Sequence, residues 1–109
     1  MGVRQARAQM NGAVTEAEFQ QAVVQYARLR NWMAFHPFDS RRSAPGYPDL
    51  TLVRAGRLVF AELKTETGRV SAAQVEWFDA LDEVAKSCAH VEVHLFRPSD
   101  WPSIEDVLR

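Results

Sequence analysis

Two acidic residues and a lysine stand at the ends of two neighbouring stretches that read as β-strands. Asp49 follows Pro48 at the start of the first stretch, and Glu62-Leu63-Lys64 closes the second. Because side chains alternate along a strand, Glu62 and Lys64 share one face and Leu63 takes the other. Two carboxylates beside an ammonium group are suited to hold a divalent cation and a phosphate.

A hard cation such as Mg²⁺ or Mn²⁺ takes oxygen ligands and usually keeps several waters. Asp49, Glu62 and one backbone carbonyl, that of Leu63, would supply enough protein ligands. The bound ion would polarise a phosphoryl group and help to generate hydroxide, and Lys64 could orient the attacking water. Two plainer interpretations stay open: Asp49 could simply start a strand, and Glu62 could form an ion pair with Lys64.

A third carboxylate comes from the first predicted helix. Thr15-Glu16-Ala17-Glu18 is a capping box, in which Glu18 can reach back to the amide of Thr15. Glu16 has no such duty and lies closer to the centre of the apolar stripe, so we expect it to face the sheet. Its alternative role is a favourable interaction with the helix dipole.

Gln74 has two interpretations as well. It occupies the last position of Ser71-Ala72-Ala73-Gln74, a second capping box. The loop before this box leads directly from Lys64, so Gln74 could also belong to the site.

The chain has a formal net charge of −1, which gives no global basic field for a nucleic acid. Any such binding must come from local patches. Five arginines fall in predicted loops or turns and could form a phosphate-binding rim, although scattered surface arginines are commoner: Arg41, Arg42, Arg54, Arg57 and Arg69.

The predicted elements follow the order α-β-β-β-α-β-α. The first helix extends from the Thr15 cap to about Arg30, and three short strands are expected over residues 32–36, 48–53 and 57–64, the last two joined by a turn at Gly56. We therefore expect an α/β fold with a four-stranded mixed sheet flanked by helices.

The second half contributes the other helices and the last strand. A helix beginning after Ser71 and ending near Ser87 should turn five apolar side chains inward, a last strand covers residues 91–96, and a short helix begins at Ser103. Those five side chains are Val75, Phe78, Leu81, Val84 and Ala85.

The 109 residues fit one domain over residues 15–109, preceded by a tail of residues 1–14 without periodicity. One cysteine, Cys88, forms no intrachain disulfide, and no apolar run resembles a signal peptide or a membrane span. These features favour a reducing, cytoplasmic setting without a membrane partner.

Taken together, Glu16, Gly46-Tyr47-Pro48-Asp49-Leu50, Glu62-Leu63-Lys64 and Gln74 resemble the PD-(D/E)XK nuclease superfamily. The stretch Asp39-Ser40-Arg41-Arg42-Ser43 makes the chain most similar to the VRR-NUC family, including its small stand-alone members from phages and bacteria. The resemblance covers about residues 15–109.

The resemblance implies metal-dependent cleavage of DNA, often branched DNA, by a homodimer in the cytoplasm of a bacterium or a phage-infected host cell. By position, Asp49 and Glu62 would be metal ligands, Lys64 the catalytic lysine, Glu16 the helix-borne acid, acting directly or through water, and Gln74 an auxiliary residue. The expected DNA contacts are Ser40, Arg41, Arg42, Tyr47 and Arg69.

The leading hypothesis is thus an endodeoxyribonuclease that uses Mg²⁺ or Mn²⁺. A non-catalytic DNA-binding or assembly module with the same fold is the alternative. A hydrolase of small phosphorylated metabolites is less favoured, because the sequence has no Gly-rich phosphate cradle.

Overall fold

A computed structural model describes residues 14–37 and 44–109 as three helices and one four-stranded sheet. Of the predicted tail, only Val14 lies within these ranges, and it packs against the core. The elements are α1 (Glu16–Leu29), β1 (Met33–Phe35), β2 (Leu50–Arg54), β3 (Arg57–Leu63), α2 (Ala72–Ser87), β4 (Val91–Phe96), a 3₁₀ turn (Pro98–Asp100) and α3 (Trp101–Leu108).

The sheet has the strand order β1-β2-β3-β4, with β1, β2 and β3 antiparallel and β4 parallel to β3. The prediction of a mixed four-stranded sheet is confirmed. Ala55 and Gly56 both have positive φ, 48° and 79°, which is the conformation of a tight hairpin turn between β2 and β3. This hairpin sets the register that brings the start of β2 level with the end of β3.

One face of the sheet carries the core. Leu50, Leu52, Val59, Ala61 and Leu63 are fully buried on this face. They pack under α1 and α3, which contribute buried apolar side chains of their own: Phe19, Val23, Ala27, Ile104 and Leu108. The core thereby fixes α1 across the sheet, and with it the position of Glu16.

Helix α1 begins as predicted. The side chain of Thr15 accepts a hydrogen bond from the backbone N–H of Glu18, and Glu18 accepts one from the backbone N–H of Thr15, each at 3.1 Å. This closed capping box leaves Glu16, the first helical residue, free of a capping role.

Helix α2 covers the other face only in part. It packs against β4, and no residue of α2 is fully buried. The expectation that Val75 and Val84 point inward is wrong, because their side chains are 45% and 49% exposed. A helix that packs on one sheet through a narrow apolar stripe buries fewer side chains than a helix that is covered on two sides.

The C-terminal helix starts earlier than predicted. Sequence reasoning placed its first residue at Ser103, whereas α3 begins at Trp101, directly after the 3₁₀ turn. Pro102 is compatible with this earlier start, since a proline is tolerated in the first turn of a helix. Within the described ranges, no helix is long and apolar enough to cross a membrane.

Candidate active site

The hairpin register brings the two predicted acidic ligands together. Leu50 pairs with Ala61, so Asp49 lies next to Glu62 at the end of the sheet. Oδ2 of Asp49 accepts a hydrogen bond from the backbone N–H of Leu63 at 2.8 Å. This bond fixes the Asp49 carboxylate against the end of β3.

Glu16 completes a cluster of three carboxylates. One carboxylate oxygen from each of Glu16, Asp49 and Glu62 lies within 4.8 Å of the other two. The three residues come from the N-terminus of α1, the residue before β2 and the penultimate residue of β3. The helix therefore delivers the third acid to the strand ends, as the capping box indicated.

The electrostatics of this cluster favour a cation. Glu62 is only 4% exposed, and burial, a hydrogen bond with Asp49 and the charge of Asp49 raise its pKa from 4.5 to about 9. The pKa of Glu16 is also raised, by burial and then by the charge of Asp49. Three acids with mutual repulsion and partial desolvation are most stable as anions when a positive charge joins them.

Lys64 lines the same cavity as Glu16 and Asp49. It follows the last residue of β3, and its backbone N–H donates to the carbonyl oxygen of Phe96 at 3.0 Å. In the described part of the chain, its ammonium group lies within ion-pairing distance of no carboxylate. The alternative of an ion pair between Glu62 and Lys64 is therefore wrong for these residues, although the charge of Lys64 partly offsets the rise in the pKa of Glu62 and of Glu16.

Gln74 takes both of the roles that sequence reasoning left open. Its Oε1 accepts from the backbone N–H of Ser71 at 2.8 Å, which closes the cap of α2. Its Nε2 donates to Oε1 of Glu62 at 3.1 Å. One amide side chain thus ties the start of α2 to the buried acid.

A glycine loop packs against the same helix start. Gly46 has φ of 83°, and a Cβ atom there would lie 2.3 Å from the backbone carbonyl atoms of Ala73. The next residue, Tyr47, makes an edge-to-face contact with Trp77, with 5.0 Å between ring centroids. Close backbone packing at Gly46 thus places Tyr47 at the mouth of the site.

Most of these groups line an open cavity of about 520 Å³, whereas Glu62 lines a smaller pocket of about 210 Å³ that shares Gln74 with it. The wall of the larger cavity combines the N-terminal turns of α1 and α2, whose positive dipole ends favour anions, with Glu16, Asp49 and Lys64. Residues Pro37 and Ala44, which flank the segment 38–43, also line it. The remaining lining residues are Glu16, Ala17, Gln20, Gly46, Tyr47, Asp49, Lys64 and Gln74.

The predicted DNA contacts fall into three groups. Ser40, Arg41 and Arg42 lie outside the described residues. Tyr47 lines the cavity, whereas Arg69 is exposed in the turn before α2 and does not line it.

Two of the five arginines that were predicted to form a phosphate-binding rim lie away from the site. Arg54 and Arg57 flank the β2–β3 turn, at the opposite end of the strands from the acids. Arg54 donates to the carbonyl oxygen of Arg30 at 2.7 Å, and Arg57 binds both carboxylate oxygens of Glu92 at 2.7 and 2.8 Å. The two residues lie at strand ends and not in a loop, and tertiary contacts with structural partners occupy both guanidinium groups.

Arg97 shapes the site from a position that the sequence did not single out. Its Nη1 donates to the carbonyl oxygens of Thr65 and Gly68 at 2.6 and 2.9 Å, which holds the turn between Lys64 and α2. The pairing of Leu63 with Phe96 brings Arg97 to this turn. Only the parallel register reveals that proximity, so no local motif could have indicated it.

The comparisons with known proteins agree with this geometry. A family model for the VRR-NUC domain matches residues 5–95, which is most of the chain. No curated protein and no solved structure matched. The matched range includes every residue of the acidic cluster, Lys64 and Gln74, in a fold of the PD-(D/E)XK type. The chain therefore belongs to the VRR-NUC family, and its domain is a nuclease domain.

Proposed function

We propose that the protein is a metal-dependent endodeoxyribonuclease that hydrolyses DNA phosphodiester bonds. The observation that carries the proposal is the convergence of Glu16, Asp49 and Glu62, whose carboxylate oxygens lie within 4.8 Å of one another. Lys64 lines the open cavity next to them. Acids, an ammonium group and room for a phosphate are the parts that such a reaction needs.

The donor set fits Mg²⁺ or Mn²⁺. Each of the three acids would offer a carboxylate oxygen, and these oxygens all lie within 4.8 Å of one another. Oxygen ligands of this kind are those that hard divalent cations take. Asp49, Glu62 and the backbone carbonyl of Leu63 are the proposed direct ligands, and Glu16 is a ligand that acts directly or through water.

In the proposed reaction, a water oxygen attacks phosphorus in line with the bond to the 3′ oxygen. That bond breaks, and the products are a 3′ hydroxyl, which receives a proton, and a 5′ phosphate. The divalent cation supplies Lewis-acid polarisation of the phosphoryl group. Lys64 orients the water or stabilises the charge that builds on the phosphate oxygens, and Gln74 keeps the Glu62 carboxylate in place.

The proposed DNA contacts are one residue of the cavity and four residues near its lining in the sequence. Tyr47 already lines it. Ser40, Arg41 and Arg42 belong to the segment that joins two cavity residues, Pro37 and Ala44, and we assign them to backbone phosphates. Arg69 is the proposed outer contact, since its exposed position lies between Lys64 and α2.

We also propose that two copies associate through the uncovered sheet face. Met33 pairs with Val53 in the register of β1 and β2, and Met33, Phe35 and Val53 are 75%, 61% and 43% exposed. An isologous contact would bury the same apolar face in both copies. Two active sites in one particle would suit paired incisions in branched DNA.

The mass of the particle in solution tests this association. Light scattering after size exclusion should give a dimer for the wild type and a monomer for Phe35→Asp. A monomeric wild-type protein at micromolar concentration would overturn the proposed dimer and leave the nuclease proposal intact.

A substrate panel tests the proposed activity. Single-stranded, duplex, flap and four-way DNA should be incubated with Mg²⁺, Mn²⁺ or EDTA. We expect cleavage only with a metal ion, and a loss of cleavage in Asp49→Asn and Lys64→Met. Glu83→Gln and Lys86→Met are matched controls on the exposed side of α2 and should cut normally. Binding of all substrates without cleavage under any metal would instead favour a non-catalytic DNA-binding module.

A further inference from the structure

A second groove runs from the acidic cavity along α1. It has a volume of about 270 Å³ and shares Ala17 and Gln20 with the acidic cavity, so the two adjoin each other along α1. Beyond these shared residues, the groove is lined by Gln21, Val24, Gln25, Arg28 and His36. We call this surface the α1 groove.

The α1 groove follows the surface of a single helix. Its helical residues are spaced by three or four positions, from Ala17 to Arg28, which places them on one face. The distance from the first to the last is about 16 Å at 1.5 Å per residue. Buried Phe19, Val23 and Ala27 hold the adjoining face of α1 on the sheet, so this wall is fixed.

The α1 groove is lined by hydrogen-bond donors and lacks the carboxylates that line the acidic cavity. No carboxylate lines it, while three glutamine amides, an imidazole and a guanidinium do. Arg28 has no acidic partner in the part of the chain that the structure describes. Amide N–H₂ groups and a free guanidinium are donors for phosphate oxygens, and the amide oxygens can accept from sugars or bases.

The position of the groove identifies its occupant. It starts at the proposed cleavage site, and its length of about 16 Å corresponds to about five nucleotides at 3.4 Å per nucleotide along one strand of a duplex. We infer that the α1 groove binds the backbone of the DNA strand on one side of the scissile phosphate, with Arg28 contacting a phosphate several nucleotides from the cut. This inference rests on the proposed nuclease function and adds a path for the substrate.

A pair of charge reversals on one helix tests the groove. Arg28→Glu alters the groove, whereas Arg30→Glu makes the same change two residues later, at the exposed cap of α1 and outside the groove. Both changes affect the helix dipole alike, so any stability effect is matched. The first measurement is the affinity for a duplex of about 30 base pairs in EDTA over a range of salt concentrations.

We expect Arg28→Glu to weaken binding about tenfold and to reduce the slope of log K against log salt by about one, as for the loss of one or more phosphate contacts. Arg30→Glu should stay within about twofold of the wild type. If Arg28→Glu lowers the melting temperature more than Arg30→Glu does, the binding measurement is made with the neutral variant Arg28→Gln in place of Arg28→Glu. Equal affinities for the two variants would overturn the inference.

Trimmed substrates locate the groove relative to the cut. Cleavage with Mg²⁺ should be compared for DNA shortened to two nucleotides on the 5′ or on the 3′ side of the cut. On one of these two substrates, Arg28→Glu should cut as fast as the wild type, because the strand no longer reaches residue 28. A defect that persists on both would overturn the inference.

The two proposals fail in different ways. Wild-type cleavage with equal behaviour of Arg28→Glu and Arg30→Glu would remove the groove and keep the nuclease. A wild type that never cleaves would remove the nuclease, and the binding comparison in EDTA would still judge the groove.

Discussion

Nε2 of Gln74 lies 3.1 Å from Oε1 of Glu62, while the opposite end of the same amide caps α2 through the backbone N–H of Ser71. One side chain therefore both caps α2 and contacts the buried carboxyl group of Glu62. The buried acid is held by a residue whose own rotamer is fixed by the cap.

Two substitutions separate the cap from the site. Gln74→Glu keeps an oxygen for the Ser71 amide but replaces the donor to Glu62 with a repelling carboxylate. We expect a near-normal melting temperature and a cleavage rate that is lower by about 10- to 100-fold, as for residues that orient metal ligands. Ser71→Ala should do the reverse, losing about 1 kcal/mol of stability with cleavage retained. Parallel loss of stability and activity in both variants would contradict the division of roles.

Gly46 and Gly56 share a left-handed backbone conformation but differ in how closely other atoms approach them. Both have positive φ, 83° and 79°, but only a Cβ at Gly46 would meet backbone atoms, those of Ala73 and Gln74. Gly56→Ala should therefore cost about 1 kcal/mol for the left-handed backbone alone. Gly46→Ala should cost about 2–4 kcal/mol because overpacking adds to this strain, and it should reduce cleavage at temperatures where the protein is folded. Urea denaturation measures both, and equal costs would contradict the close approach of the loop to α2.

The stability of the metal-free protein should fall as the pH rises. The pKa of Glu62 is about 9 in the folded state, against 4.5 for an ordinary glutamate. Between these values the folded protein keeps a proton that the unfolded chain has released, so the free energy of unfolding decreases with pH.

Thermal denaturation in EDTA at pH 5.5 and pH 8.5 measures this slope. We expect the melting temperature of the wild type to drop by at least about 4 °C, which corresponds to about 1 kcal/mol for a domain of this size. Glu62→Gln has no titrating group at position 62, so its melting temperature should drop less. Identical pH profiles would rule out a buried, protonated Glu62.

Arg57 and Arg69 should separate stability from DNA binding. Arg57 donates to Glu92 and, at 2.9 Å, to the carbonyl oxygen of Val107, so it joins β3 to β4 and α3. Arg57→Ala should lose about 1–2 kcal/mol of stability through these bonds and bind DNA normally. Arg69→Ala should change stability by less than about 0.5 kcal/mol and weaken DNA binding. Weaker DNA binding in Arg57→Ala, with normal binding in Arg69→Ala, would instead place Arg57 on the DNA-binding surface.

The sequence predicted those parts of the site that local patterns encode. Capping boxes gave the starts of α1 and α2, and strand alternation with the turn at Gly56 paired Asp49 with Glu62. It could not assign the arginines, because an arginine next to a turn has the same sequence signature whether it binds a phosphate or Glu92. Arg97, which binds the turn after Lys64, depends on the parallel β3–β4 register, which no local motif encodes.

The most direct test of the central claim is the position of a metal ion. Crystals of the protein grown with Mn²⁺ should show an anomalous scattering peak within about 2.3 Å of carboxylate oxygens of both Asp49 and Glu62. Crystals of Asp49→Asn should lack this peak. A Mn²⁺ ion bound elsewhere, with these two carboxylates uncoordinated at saturating Mn²⁺, would contradict the proposed hydrolytic site.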